Sequence, residues 1–160
     1  MRKILLLLTV AALLMSGCAS AETQAPQPTP TADVGAAYDI SGVDAYLQSV
    51  TAQAEELHRS LAQDDLTQME LNEKAAALYA LWDDALNYLW RELQSYLPEA
   101  EFAALREEQL QWIADKESAM EQAGRDYVGG SMYPLVIHSE AARITEARVH
   151  VLYDMLKNLS

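Results

Sequence analysis

Side chains that could do catalytic or metal-binding chemistry are few in this chain and widely separated. His58, His138 and His150 share neither the i, i+3 nor the i, i+4 spacing that places two imidazoles on one helix face for a metal ion. Serine, histidine and aspartate all occur, but no serine lies in the setting of a nucleophile elbow. Paired acids such as Asp83–Asp84 are typical of a solvated helix face rather than of a glycosidase cleft. We therefore predict a protein that is not an enzyme and holds no metal ion or cofactor.

The N-terminus has the organisation of an export signal. Arg2 and Lys3 form a short positive region, residues 4–15 an apolar stretch of about a dozen residues, and residues 16–17 supply small side chains before a cleavage site. The apolar stretch is too short to span a bilayer comfortably. We predict that residues 1–17 are a signal peptide that is removed on export.

The residue after this cleavage site is Cys18, the one cysteine of the chain. The segment 14–18 resembles a lipobox, although Met15 stands where leucine is more usual. The resemblance implies that the thiol of Cys18 carries a diacylglyceryl group and that its freed amino group is acylated, which anchors the protein to the outer side of the cytoplasmic membrane or to an outer membrane. An ordinary secretory signal with an incidental cysteine is the alternative. It leaves a lone thiol in an oxidising compartment unexplained.

Residues 18–40 are predicted to be a flexible tether. Pro26, Pro28 and Pro30 alternate with polar residues, which blocks helix formation and favours an extended spacer. A Pro-rich docking motif is the alternative, but it lacks PxxP spacing next to a basic residue. The tether would hold the folded part clear of the lipid head groups.

The formal net charge of the chain is −13. Cleavage before Cys18 would remove two basic residues and no acidic one, so the mature chain would be more acidic still. Such a protein repels phosphate backbones, which excludes nucleic acid as a plausible partner. A cationic partner is favoured, although acidity also serves solubility alone.

From residue 41 to residue 160 the pattern has the 3.6-residue period of helices. Ser41 is a candidate cap of a first segment, and Thr67 and Glu70 form the capping box of a helix that begins at about Gln68. Pro98 ends that helix and can open the next, and Ser131 is the candidate cap of a last helix with a proline in its first turn. Short connections favour antiparallel neighbours. The prediction is an all-α fold, an antiparallel bundle of three long helices with an additional N-terminal helical segment.

Apolar stripes on these helices predict the core. The second helix has a near-heptad series, and the third is unusual because Gln109 and Lys116 lie in line with its apolar residues. The stripes of the three long helices are Leu71, Ala75, Leu78, Trp82, Ala85, Leu89, Leu93 and Leu97; Phe102, Leu105, Gln109, Trp112, Lys116, Met120 and Ala123; and Leu135, His138, Ala142, Thr145, Val149, Leu152, Leu156 and Leu159.

Five short motifs in sequence order resemble those of the LprI-like domain, a family named after a lipoprotein inhibitor of lysozyme. The resemblance covers about residues 60–157, and the motifs are residues 67–72, 82–87, 109–113, 129–132 and 145–148. It implies an exported helical domain without known catalytic residues. Aligned on these motifs, many members hold two cysteines where this chain has Lys74 and Met120, so the resemblance implies that a bridge between the second and third helices is absent here. Their packing is then expected to rest on apolar contact.

The family name suggests lysozyme inhibition, and the acidity of the chain would steer a basic lysozyme towards it. The glycine-rich connection of residues 124–133 is the candidate partner-binding loop, and the alternative is a plain helix connection whose glycines only permit a turn. Its candidate residues are Asp126, Tyr127, Gly129, Gly130 and Ser131. The alternative function is that of a structural envelope lipoprotein that joins an assembly through its helices and inhibits nothing.

Four motif residues, Asn72, Gln109, Trp112 and Arg148, form a predicted polar cluster. Arg148 is expected to cross from the last helix to an acid, with Gln109 bonding nearby, as a polar tie within the bundle. The candidate acids are Glu70, Asp83 and Glu108. A ligand-binding surface is the competing interpretation.

Overall fold

The computed structural model describes residues 38–160, and all their regular structure is helical. Four α-helices follow one another: α1 (Ser41–Leu61), α2 (Gln68–Tyr96), α3 (Glu99–Gly124) and α4 (Tyr133–Lys157), with a 3₁₀ turn (Arg125–Tyr127) between α3 and α4. The predicted all-α bundle of three long helices and a shorter N-terminal one is confirmed. The predicted signal peptide, Cys18 and the tether as far as residue 37 lie outside the described residues.

Local capping explains where α2 begins. Thr67 Oγ1 accepts the N–H of Glu70 at 3.3 Å, and the Glu70 carboxylate accepts the N–H of Thr67 at 2.8 Å. Hydrogen bonds from the Thr67 side chain and backbone lower the pKa of Glu70. The predicted capping box is therefore confirmed, and Gln68 is the first residue of the helix as expected.

The two predicted serine caps are wrong. α1 begins at Ser41 itself, and the acceptor for its N–H is the carboxylate of Asp39, at 3.0 Å. α4 begins at Tyr133 without a side-chain cap, because Ser131 is still part of the preceding loop. Pro134 does lie in the first turn of α4, as predicted.

α2 is the central helix and packs against both α1 and α4. Its predicted stripe is buried from Ala75 to Leu93, and the predicted stripe of α4 is buried from Ala142 to Leu156. Removing these faces from water is the main stabilising contribution to the bundle. The near-heptad spacing therefore identified the core of these two helices correctly.

The packing of α3 differs from the expectation. This helix packs on α4 and makes few contacts with α2. One of the contacts with α2 is between the rings of Trp90 and Phe102, whose centres lie 5.0 Å apart. Leu110 and Ile113 stay exposed. The polar positions in the stripe of α3 fit this arrangement, because buried polar groups need polar partners: Gln109 bonds to Arg148 of α4, and Lys116 bonds to the Tyr79 hydroxyl of α2. The expected continuous apolar contact between α2 and α3 is thus replaced by a groove.

Tyr38, expected in the tether, is part of the core instead. Its N–H donates to the carbonyl of Leu159 at 3.2 Å and its hydroxyl donates to Glu92 at 2.9 Å. Burial, and then the hydrogen bond to the Glu92 carboxylate, raise the pKa of Tyr38 well above its ordinary value. A hydrogen bond to Asp44 likewise raises the pKa of Tyr153.

These raised tyrosine pKa values predict a loss of stability in alkali. A group whose pKa is raised on folding contributes stability that is fully present below its unfolded pKa, about 10 for tyrosine, and is lost as the pH rises towards its folded pKa. The melting temperature followed by circular dichroism should therefore fall above about pH 10. Tyr38→Phe should show a smaller alkaline loss than the parent. Equal alkaline losses in the two proteins would contradict the assignment to Tyr38.

Candidate functional site

The connection of residues 125–132, here called the α3–α4 loop, is a compact turn. Gly129 has a φ of +81°, a left-handed conformation that favours glycine, and the N–H of Gly130 donates to the carbonyl of Tyr127 at 2.9 Å. The side chain of Val128 is 74% exposed, and Tyr127 and Met132 are also exposed. The loop therefore presents large apolar side chains to solvent on a defined backbone.

Asn72 fixes the loop to the start of α2. Its Nδ2 donates to the carbonyl of Ser131 at 3.0 Å, and its Oδ1 accepts from Nε2 of Gln68 at 2.9 Å. The motif of residues 67–72 thus holds the motif of residues 129–132. Asn72 was grouped in the sequence with Gln109, Trp112 and Arg148, but it makes its contacts with the loop.

Met69 adds a further exposed apolar side chain one turn before Asn72. Residues three apart on a helix are neighbours, so Met69 lies next to the point where α2 holds the loop. Met69 and three loop residues form a group of exposed apolar side chains at one end of the bundle. This group is here called the apex and consists of Met69, Tyr127, Val128 and Met132. Exposed apolar residues grouped in this way are more typical of an interaction surface than isolated ones.

The other three residues of the predicted cluster do meet. Nε of Arg148 donates to Oε1 of Gln109 at 2.9 Å, and the guanidinium carbon lies 5.9 Å from the ring centre of Trp112. Nη1 donates to Glu108 at 2.5 Å, so Glu108 is the partner among the three candidate acids. Arg148 is 6% exposed whereas Glu108 is 60% exposed. This polar tie therefore links the buried guanidinium of Arg148 on α4 to the solvent-exposed carboxylate of Glu108 on α3.

Lys116 is a second buried cation beside the same tryptophan. Its Nζ donates to the hydroxyl of Tyr79 at 3.1 Å and lies 4.9 Å from the ring centre of Trp112. It also lies 5.2 Å from the ring centre of Tyr79. Cation–π attraction and one hydrogen bond hold this ammonium. No carboxylate within residues 38–160 lies within ion-pairing distance of it.

A groove of about 350 Å³ opens between α2 and α3 beside Lys116. Its walls are mainly apolar, from Leu86 and Trp90 on one side and Leu110 and Ile113 on the other. Its polar lining comes from Asp83, Asn87, Arg106, Gln109 and Lys116. Two motif segments, 82–87 and 109–113, therefore supply most of the groove.

No group of three or more histidine, cysteine, aspartate or glutamate side chains among residues 38–160 is placed to hold a metal ion. None of the four helices is long and apolar enough to cross a membrane. The apex, the polar tie and the groove are the features to which a function can be attached.

A family model described as lysozyme inhibitor LprI matches residues 59–152, more than half of the chain. The chain belongs to the LprI family. The matched segment runs from the end of α1 through α2, α3 and the α3–α4 loop into the last turns of α4. No curated protein and no solved structure gives a match to the chain.

The LprI segment contains the apex, the polar tie and the groove. Sequence reasoning indicated the loop and Arg148 but missed Met69 and Val128, because exposure at a helix start or a turn leaves no periodic signal. It also missed the groove. The available signal was the pair of polar residues in the stripe of α3, together with Leu110 and Ile113 on the face that the stripe leaves out.

Proposed function

We propose that this LprI protein is an extracytoplasmic, lipid-anchored binding protein that inhibits lysozyme through its apex. The observation that carries the proposal is the apex itself, where exposed apolar side chains stand on a loop fixed by the Asn72–Ser131 hydrogen bond. A pre-ordered loop loses little conformational freedom on binding, which favours affinity. Aromatic side chains such as Tyr127 are frequent among residues that dominate binding energy.

Charge supports a cationic target. The chain has a net charge of −13, and Asp126 and Glu73 are exposed on or next to the apex. Lysozymes of the common animal type are strongly basic, so long-range attraction would accelerate their encounter with this surface. The apolar side chains of the apex would then make the short-range contacts, which salt does not screen.

The test is hydrolysis of peptidoglycan by lysozyme in the presence of the unlipidated mature chain carrying Cys18→Ser. We expect inhibition that weakens at high salt, and a Val128→Asp variant whose inhibition constant is at least about tenfold higher. Val151→Asp is the matched control, because Val151 is also exposed, at 48%, but lies on α4 away from the loop. It should inhibit like the parent.

Two results would contradict the proposal in different ways. If the parent does not inhibit lysozyme, the alternative of a structural envelope lipoprotein is favoured. If the parent inhibits but both valine variants inhibit equally well, a surface other than the apex is responsible. Asn72→Ala tests whether inhibition requires the loop to be held in place. The variant should free the loop and weaken inhibition, although every apex side chain remains.

The anchor is tested independently. Growth with a labelled fatty acid should mark the full-length protein, and Cys18→Ser should abolish the label and release the protein from membranes. Unlabelled parent protein would refute lipidation at Cys18 without bearing on the apex.

A further inference from the structure

We infer that the groove between α2 and α3 is a binding site for a small anionic amphiphile, whose carboxylate meets Lys116 and whose apolar body lies along the groove. The groove has the volume of a small-ligand site, which usually begins at about 300 Å³. Its walls are apolar, with few polar groups, as such sites usually are.

The charge of the ligand follows from Lys116. This side chain is only 9% exposed and lines the groove, yet it has no carboxylate partner among residues 38–160. An ammonium group has three N–H donors, and the hydroxyl of Tyr79 takes one of them. A carboxylate in the groove would give this buried cation the charged acceptor that the protein does not provide.

The other charged side chains that line the groove also favour a negatively charged ligand. Arg106 is a second cation, about 15 Å from Lys116 along the axis of α3 by helix rise. Asp83 is the one acid of the lining, and its carboxylate already accepts from Nδ2 of Asn87 at 3.1 Å. The side chains that line the groove therefore include two cations and one acid, on a chain whose net charge is −13.

The apolar body of the ligand follows from the walls. The groove runs along about 10 Å of α2, from Asp83 to Trp90. Its apolar walls are formed by Leu86 and Trp90 of α2 and by Leu110 and Ile113 of α3. Leu110 is 57% exposed and Ile113 is 38% exposed, so this wall of the groove presents two large apolar side chains to solvent. Covering these side chains with an acyl chain or an aromatic ring would remove apolar surface from water.

The site is separate from the apex. Asn72, which holds the loop, lies about 10 Å along α2 from Tyr79, the residue that Lys116 contacts, and about 16 Å from Asp83 of the groove lining. Binding of an amphiphile is therefore an additional property, and it can be tested without lysozyme.

The experiment is a titration of the Cys18→Ser chain with decanoate and with decanol, both below their aggregation limits. Tryptophan fluorescence reports on the groove because Trp90 and Trp112 line it. We expect saturable binding of decanoate, and binding of decanol at least about tenfold weaker, since a hydrogen bond to a charged group is worth about that factor. Equal affinities, or no saturable binding, would overturn the inference.

Two lysine variants test whether Lys116 recognises the carboxylate of the ligand. Lys116→Met keeps the apolar stem and should reduce decanoate affinity to the level of decanol while leaving decanol unchanged. Lys157→Met is the matched control, because Lys157 also lies over a tyrosine ring, that of Tyr153 at 5.4 Å, but outside the groove. An undiminished decanoate affinity in a folded Lys116→Met protein would refute the role of Lys116.

A second variant keeps the test decisive if Lys116→Met does not fold. Leu110→Glu changes an exposed residue, so the core should remain intact, and it adds a negative charge to the groove wall. It should abolish decanoate binding. Retained affinity in this variant would overturn the location of the site.

Discussion

Replacing Arg148 by alanine is expected to lower the free energy of unfolding by about 3 kcal/mol. The side chain is 6% exposed, its Nε bonds to Gln109, and its guanidinium packs on Trp112. Alanine leaves a cavity at this junction of α3 and α4 and an unpaired amide on Gln109. Urea unfolding followed by circular dichroism gives the measurement.

The exposure of Glu108 changes what that loss means. An acid that is 60% exposed regains water when its partner is removed, so the cost does not come from a stranded carboxylate. Arg148→Met fills most of the volume without a charge and should therefore cost less, about 1 kcal/mol. A methionine variant as unstable as the alanine variant would show that the charge itself stabilises the bundle.

Arg143→Ala is the matched control on the same helix. Arg143 pairs with Glu140 at 2.6 Å, but its side chain is 66% exposed. Exposed ion pairs contribute little, so this variant should unfold at nearly the same urea concentration as the parent. If Arg148→Ala were as stable as Arg143→Ala, the polar tie would have no structural role, and the ligand-binding interpretation of the cluster would be favoured.

Gly124→Val is expected to cost about 2 to 3 kcal/mol and to disturb the α3–α4 loop. A β-carbon at Gly124 would lie 2.7 Å from Cε2 of Tyr133 and 2.7 Å from Cγ2 of Ile137. Neither contact is sterically possible unless the side chains of Tyr133 and Ile137 move or α3 shifts against the first turns of α4. Since the loop connects these two helix ends, the proposed inhibition of lysozyme should weaken together with stability.

Gly42→Val provides the matched substitution. Nothing lies within 4 Å of a β-carbon at Gly42, in the first turn of α1, so the change should remain within about 0.5 kcal/mol. Thermal melting of the two variants side by side tests the steric argument. Equal melting temperatures would mean that α3 and α4 do not approach as closely as the structure shows.

The sequence alone determined the helices and their apolar faces. Thr67 and Glu70 predicted the start of α2 because a capping box is a local interaction between residues three apart. The stripe from Ala75 to Leu93 predicted burial because a 3.6-residue period places those side chains on one face whatever lies opposite. The motifs also indicated the LprI family, which the family match confirms.

The tertiary structure decided which faces meet. Periodicity cannot say which neighbour covers a stripe, because different arrangements of four helices can bury the same residues. Three features depend on contacts between residues at least 37 positions apart. They are the ion pair of Arg148 with Glu108, the hydrogen bond of Asn72 to the loop, and the position of Lys116 beside the groove. Such contacts follow from the packing of whole helices, whereas a sequence pattern records only the neighbours along one helix.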